Sequence, residues 1–219
     1  MKRAVVVSGA GRYADPWHPF AATSDLLGGV LHSEGFAVEV DHDLDRVMAQ
    51  LGGVDLLVVN AGDPWRGDSA DAAVPMGSIE GFAEALTRGI GILAMHTAVA
   101  TMRDYPEWAG TVGAMWVPGL SMHPPASTSI IRVELGGVVS VDDFDLFDER
   151  YCRLQRLGRS DVVAWHDGDG RREPAAWTRT VGRSRIAVDV LGHDERSYES
   201  AGHVRLIAQL ARWCTADDS

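Results

Sequence analysis

The stretch Ile90-Gly91-Ile92-Leu93-Ala94-Met95-His96-Thr97-Ala98 decides how this chain is read. A short aliphatic run with no polar alternation suits a strand covered on both faces, the habit of parallel sheets. The run stops at an imidazole followed by small residues. Two earlier runs share the pattern: residues 4–7, ending in Ser8-Gly9, and residues 56–59, ending in Asn60-Ala61-Gly62. Helical stripes lie between them. Leu26, Leu27, Val30 and Leu31 stop at Gly35, and a short strand over 36–40 follows. Leu44, Val47, Met48 and Leu51 stop at Gly52-Gly53, and Ile79, Phe82, Ala83 and Leu86 stop at Gly89. Glycine just past an apolar stripe marks a helix C-terminus. Alternating strands and helices predict an α/β fold: a three-layer, doubly wound, mostly parallel sheet of the flavodoxin-like kind.

After residue 100 the rhythm changes. Residues 105–119 are rich in aromatic, Gly and Pro residues and read as loop with short helical turns. Residues 127–134, 151–154, 162–165 and 185–190 are strand candidates. A final helix is expected over 201–213, with Val204, Ile207, Leu210 and Ala211 on one side. No linker, repeat or low-complexity tract divides the 219 residues, so 1–219 reads as a single domain. A 46% hydrophobic, 23% charged composition is ordinary for a globular chain. The net charge of −11 argues against nucleic acid and anionic lipid, which are held by basic neutralisation of phosphates. No apolar run approaches the ~18–20 residues of a membrane span. Cys152 and Cys214 form neither a disulfide framework nor a CxxC pair. A cytoplasmic protein is expected.

In open parallel sheets ligands bind beyond the carboxyl ends of the strands. That rule selects residues 9–20, the corner from Asn60 to Trp65, His96, and Gly192-His193-Asp194. His96 sits at a tight strand-to-helix corner, the geometry that exposes a nucleophile in elbow motifs. An imidazole there suits acid/base work; the competing account is a packed histidine satisfied by backbone. Gly192 permits a bend that presents His193, while Asp194 either orients it or caps a helix. Trp17 beside His18 offers an apolar face and a polar tip, and His123 has a similar setting near Trp116. Trp17, Trp108 and Trp116 would line a pocket or fill core. Of the adjacent acids Asp148 and Glu149, only one can face a site if they lie on a strand; Glu149 is chosen. No HExxH, HxH or CxxC spacing supports a metal, so no cofactor is expected, and a divalent ion at His18, His96, His123 and His193 has no spacing in its favour. GxGxxG, GxxxxGK[ST] and GxSxG are absent.

With these pieces assembled, the chain resembles the trehalose-utilisation (ThuA-like) family. The resemblance rests on Trp17-His18-Pro19-Phe20, Asp55-Leu56-Leu57-Val58-Val59-Asn60, Gly91-Ile92-Leu93-Ala94-Met95-His96 and Trp108-Ala109-Gly110. It continues through Phe147-Asp148-Glu149-Arg150-Tyr151, Trp177-Thr178 and Gly192-His193-Asp194, in order over almost the whole chain. It implies a fold similar to class I glutamine amidotransferases, which carry a Cys at the elbow and a His late in the sheet. Here the elbow reads His96 and the late position His193, so glutamine hydrolysis through a thioester is not expected. The resemblance implies a role in carbohydrate catabolism, with a trehalose-like or oxidised disaccharide as substrate class. One departure is that family members often carry a His-Pro pair before the Phe-x-x-x-Asp-Glu segment, where this chain has Gly137-Val138-Val139-Ser140-Val141-Asp142.

The expectation is a sugar-processing enzyme, an isomerase, lyase or hydrolase. His96 and His193 would shuttle protons, Glu149 or Asp194 would orient them, and Trp17, His18, Asn60, Trp116 and His123 would bind a small-molecule carbohydrate. The alternative is a non-catalytic sugar-binding or regulatory module on the same scaffold. The aromatic loops hint at a homodimer.

Overall fold

A computed structural model describes residues 1–64, 73–134 and 137–216. Its first half follows the alternating pattern: β1 (Arg3–Ser8), α1 (Phe20–Ser33), β2 (Ala37–Asp41), α2 (Leu44–Met48), β3 (Leu56–Asn60), α3 (Met76–Arg88) and β4 (Gly91–Met95). The second half holds α4 (Trp108–Val112), β5 (Ala114–Met115), β6 (Ser127–Val133), β7 (Phe144–Asp148), β8 (Gln155–Arg156), β9 (Asp161–Gly168), β10 (Arg171–Val181), β11 (Ser184–Asp189) and α5 (Ala201–Cys214).

Among the described residues nine strands form one sheet in the order β2-β1-β3-β4-β11-β10-β9-β6-β7. The pairings from β2 across to β11 are parallel, and those from β11 to β7 are antiparallel. The sheet is therefore mixed, its two halves equal in pairings, where a mostly parallel sheet was expected. Four strands lie outside the sequence expectations: β10, whose run mixes charged and small residues, β7, which alternates over only five, and the two-residue β5 and β8, which pair with each other. Residues 151–154 form no strand of their own; Cys152 makes an isolated bridge to Met122.

The continuous runs are buried on both sides, as period-two geometry requires. In β1, Val5 and Val7 join one core and Ala4 and Val6 the other; in β4, Ile92 and Ala94 oppose Leu93 and Met95. Leu44 and Met48 of α2, Phe82 of α3 and Trp108 of α4 complete the first core. Leu27 and Leu31 of α1 and Leu206, Ile207 and Leu210 of α5 complete the second. Fully burying one such side chain stabilises by about 1.5–3 kcal/mol. α3 ends where expected: Gly89 has φ 97°, and its N–H closes back onto Ala85 and Leu86 carbonyls. None of the helices among the described residues is long and apolar enough to cross a membrane.

Candidate active site

The carboxyl ends of β1, β4 and β11 share one rim of the sheet, and the chain leaves each through a corner bearing a histidine. After β1, Asp15 folds the loop around itself: its Oδ1 accepts the backbone N–H groups of Trp17 (2.9 Å) and His18 (3.0 Å). Its two oxygens also hold His18 Nδ1 at 2.7 and 2.8 Å. Burial pushes the Asp15 pKa up, but these bonds outweigh it and hold the carboxyl below its usual range. His18 Nε2, on the other side of the ring, is buried with no hydrogen-bond partner.

His96 follows β4 with φ 42°, a left-handed backbone that a branched or ring-bearing side chain adopts at a cost of order 1–3 kcal/mol. Surrounding bonds hold the corner. Thr97 Oγ1 donates to the Ala61 carbonyl at 2.7 Å, and His96 Nδ1 donates to the Val190 carbonyl at 2.9 Å. The Nδ1–H is thereby fixed, leaving Nε2 to accept from the Tyr151 hydroxyl at 3.1 Å. Burial, then the neighbouring His18, keep the His96 pKa well below the ordinary imidazole value, so the ring is neutral.

Past β11, Gly192 turns with φ 106°, a conformation that favours glycine. An added Cβ would also meet the Tyr198 hydroxyl at 3.0 Å. The turn delivers His193, whose Nδ1 lies 3.4 Å from Glu149 Oε2 and has no hydrogen bond. Burial lowers the His193 pKa against the opposing pull of Glu149. Glu149 comes from the far edge of the sheet, just beyond β7. Asp148 makes this reach possible: its Oδ1 accepts from the N–H groups of Glu149 (2.8 Å) and His193 (3.2 Å). Its Oδ2 accepts from Gly192 N–H (2.7 Å) and Ser197 Oγ (2.8 Å). Burial pushes the Asp148 pKa up to about 6 despite those bonds.

The imidazoles of His18, His96 and His193 thus stand with ring centroids 4.7 to 5.4 Å apart. One ligand-type atom from each, and one Glu149 oxygen, lie within 4.8 Å of one another. His18, His193 and Glu149 open into a cavity of about 320 Å3 lined also by Asp15, Trp17, Asp63, Thr97, Ala100, Trp116, His123 and Tyr151, while His96 lies buried outside the lining. Trp17 is 57% exposed at its mouth. Trp116 meets Tyr151 edge-on at 4.8 Å and His123 at 5.9 Å, and His123 Nδ1 lies 3.5 Å from Glu149. Arg103 holds Asp63 with Nε donating to Oδ1 and Nη2 to Oδ2.

Three expectations find other employment. Asn60 is buried and donates to Thr23 Oγ1 (2.8 Å) and Ser24 Oγ (3.0 Å), tying α1 to β3 rather than meeting a ligand. Asp194 caps the short 3-10 helix 195–199 and pairs with Arg196; it lines no part of the cavity. Trp108 is core, its Nε1 donating to the Ala98 carbonyl. Trp65 lies outside the described residues. The departing segment 137–142 packs Val139 and Val141 into the second core, away from the cavity. Asp15, Asp63, Tyr151 and Asp148 were not singled out. The spacing Asp15-x-x-His18 is the one local signal that could have pointed to such a pair, since Asp closing a turn on its own backbone is a common loop device.

A doubly wound sheet bearing a histidine at its elbow corner defines the class. The family model for trehalose utilisation (ThuA) matches residues 3–214, and the chain belongs to that family. A ThuA-like protein from Parabacteroides merdae superposes with a TM-score of 0.79 at 19% identity, covering 98% of this chain and 90% of that one. A second, from Bacteroides uniformis, gives 0.76 at 12% identity, covering 100% and 93%. A β-galactosidase from Rahnella shares the fold at 0.64 and 13% identity, over 95% of this chain and 30% of that one. No curated protein matches the chain.

Proposed function

We propose that the protein is a carbohydrate-processing enzyme of sugar catabolism that works by proton transfer at the rim cluster, without amidotransferase chemistry. The observation that carries this reading is the convergence of His18, His96, His193 and Glu149 from four separate chain segments: His18, His193 and Glu149 line one aromatic-walled cavity, and His96 is buried against Tyr151 of its wall. Trp17 and Trp116 offer faces on which a sugar ring can lie, and the carboxylates of Glu149 and Asp63 accept hydrogen bonds from its hydroxyls. No Lys or Arg lines the cavity among the described residues, which favours a neutral sugar or keto-sugar over a phosphorylated one. The family's description adds the substrate class.

In this reading His193, oriented by Glu149, takes a proton from a hydroxyl or from the carbon beside a carbonyl. The Tyr151 hydroxyl turns from His96 Nε2 to give one to the departing or rearranging oxygen, and the proton taken by His193 returns to Tyr151 through solvent in the cavity before the next turnover. Isomerisation, elimination and hydrolysis all fit that exchange. A thiol route is disfavoured: the elbow carries imidazole, and burial raises the Cys152 and Cys214 thiols to about 11 and about 12.

The test is a panel of mono- and disaccharides and their keto derivatives, with products read by mass spectrometry. Turnover of at least one sugar is expected, falling ~10²–10⁴-fold in His193→Ala. Calorimetric binding of a sugar without product would make the protein a binding module instead. Absence of both would end the carbohydrate reading.

A further inference from the structure

We infer that His18, His96, His193 and Glu149 form a binding site for one divalent transition-metal ion of the zinc, nickel or cobalt kind. This goes beyond the proton-transfer reading and stands independently of the substrate, because cation binding is measured with no sugar present.

The first argument is unmet valence. His18 Nε2 and His193 Nδ1 are buried nitrogens without hydrogen-bond partners, and both belong to the same cluster. The His18 side chain is only 9% exposed. A buried polar atom left unpaired costs free energy, and a cation shared between two such atoms removes the cost at both. An isolated orphan would carry little weight: His166 Nδ1 is one, elsewhere in the fold. Here two converge with a third imidazole and a carboxylate.

The second argument is the outer arrangement. Histidine ligands are commonly held by a carboxylate or a backbone carbonyl on the nitrogen away from the metal. His18 has Asp15 in that place and His96 has the Val190 carbonyl. Asp148 fixes the backbone of both Glu149 and His193.

The third argument is chemistry. Three nitrogens and one oxygen suit borderline metals, whereas magnesium and calcium take all-oxygen shells. Bonds of about 2.1 Å in a tetrahedron place ligands about 3.4 Å apart, so the present spread of up to 4.8 Å must narrow when the cation binds. Among the donors, His96 Nε2 must exchange its Tyr151 contact for the cation. A nitrogen that holds a cation cannot take a proton, so occupancy switches the site between two forms. In the loaded form Tyr151 is the group left to move protons.

Protein stripped with chelator and dialysed is titrated calorimetrically with zinc, nickel and magnesium chloride, and its melting temperature is read alongside. Saturable binding of one equivalent of zinc or nickel, with a raised melting temperature, is expected. Stoichiometric binding is lost in His18→Ala and His193→Ala and kept in His32→Ala, which removes an exposed surface histidine. Asp15→Asn preserves the shape of the loop and weakens binding ~10–100-fold; it decides the matter if an alanine variant fails to fold. Absence of one-to-one binding, equal affinity for magnesium, or binding undiminished in both His18→Ala and Asp15→Asn overturns the inference. Full sugar turnover by stripped protein would leave the proton-transfer reading standing whatever the titration shows.

Discussion

Two groups of buried histidine lie on either side of the turn that follows β11, and they are built on opposite principles. On one side His203, in α5, is completely buried and completely partnered. Its Nδ1 faces the Ser197 carbonyl at 2.9 Å and its Nε2 faces Asp189 Oδ2 at 3.0 Å. Both nitrogens meet acceptors, so both carry protons and the ring is an imidazolium against a carboxylate. On the other side His18 and His193 each leave a nitrogen with no hydrogen bond, and His193 has only Glu149 at 3.4 Å. Burial alone therefore does not separate a structural histidine from a working one. What sets His18 and His193 apart from His203 is a nitrogen left without a hydrogen bond in a cluster of other imidazoles and a carboxylate.

The largest expected effect is on the partnered side. His203→Leu leaves the Asp189 carboxylate buried at 0% exposure with no counter-charge. Breaking a buried pair in this way costs on the order of 3–5 kcal/mol, read as a fall in the urea midpoint. The same pair gives a pH signature. Burial lowers the His203 pKa, but the charge and hydrogen bond of Asp189, the charge of Asp148 and the Ser197 carbonyl raise it above the ordinary 6.5 overall. A group with a raised folded pKa contributes its full stability below the unfolded value and loses it as pH climbs through the folded one. Wild-type stability should thus decline with rising pH above about 6.5, and Asp189→Asn should flatten that decline. An unchanged slope would show that the pair is neutral in the fold.

Asp148 joins the two groups. All four of its donors, Glu149, His193, Gly192 and Ser197, face it with N–H or O–H. Asp148→Asn turns one acceptor into a donor and sets it against another donor, costing about 1–3 kcal/mol. It should also lower turnover on the proposed sugar substrate, through kcat more than KM, because it loosens Glu149 and His193 together. Stability lost with kcat intact would confine Asp148 to the scaffold. Asp194→Ala is smaller again. It removes an N-cap of a short helix, worth about 1 kcal/mol, and should leave kcat in place; a loss like that of His193→Ala would return Asp194 to the chemistry.

The two halves of the sheet were not equally legible. Runs such as residues 56–59 and 90–94 are aliphatic because both faces of a central parallel strand are covered, and that requirement shows in the sequence itself. The antiparallel half carries its burial in small and amphipathic residues: Ala175, Ala176 and Thr178 of β10 are buried beside exposed arginines. Nothing in such a run separates strand from loop until its partners are known. The same limit governs the site. His96 and His193 were visible as polar residues ending apolar strands. Asp148 was not, because its role consists of bonds to residues 44 to 49 positions away. Asn60 satisfied the same rule as His96 and yet binds α1, since strand-end position reports where a side chain begins, not which hydroxyls stand in front of it.

The smallest expected change tests the comparison most sharply. His193→Leu conserves bulk and replaces a nitrogen that has no hydrogen-bond partner. Its side chain is 14% exposed, so the substitution adds apolar contact at little cost in hydration. Removing an unsatisfied polar atom is neutral or stabilising, and active sites are where proteins keep such atoms at the expense of stability. The urea midpoint should therefore stay within about 0.5 kcal/mol of wild type or rise, while turnover collapses. His203→Leu, the identical replacement a few residues further along the chain, should do the reverse to stability. If both variants lost several kcal/mol, His193 would be held by partners as firmly as His203, and the division between the two groups of histidines would fall with it.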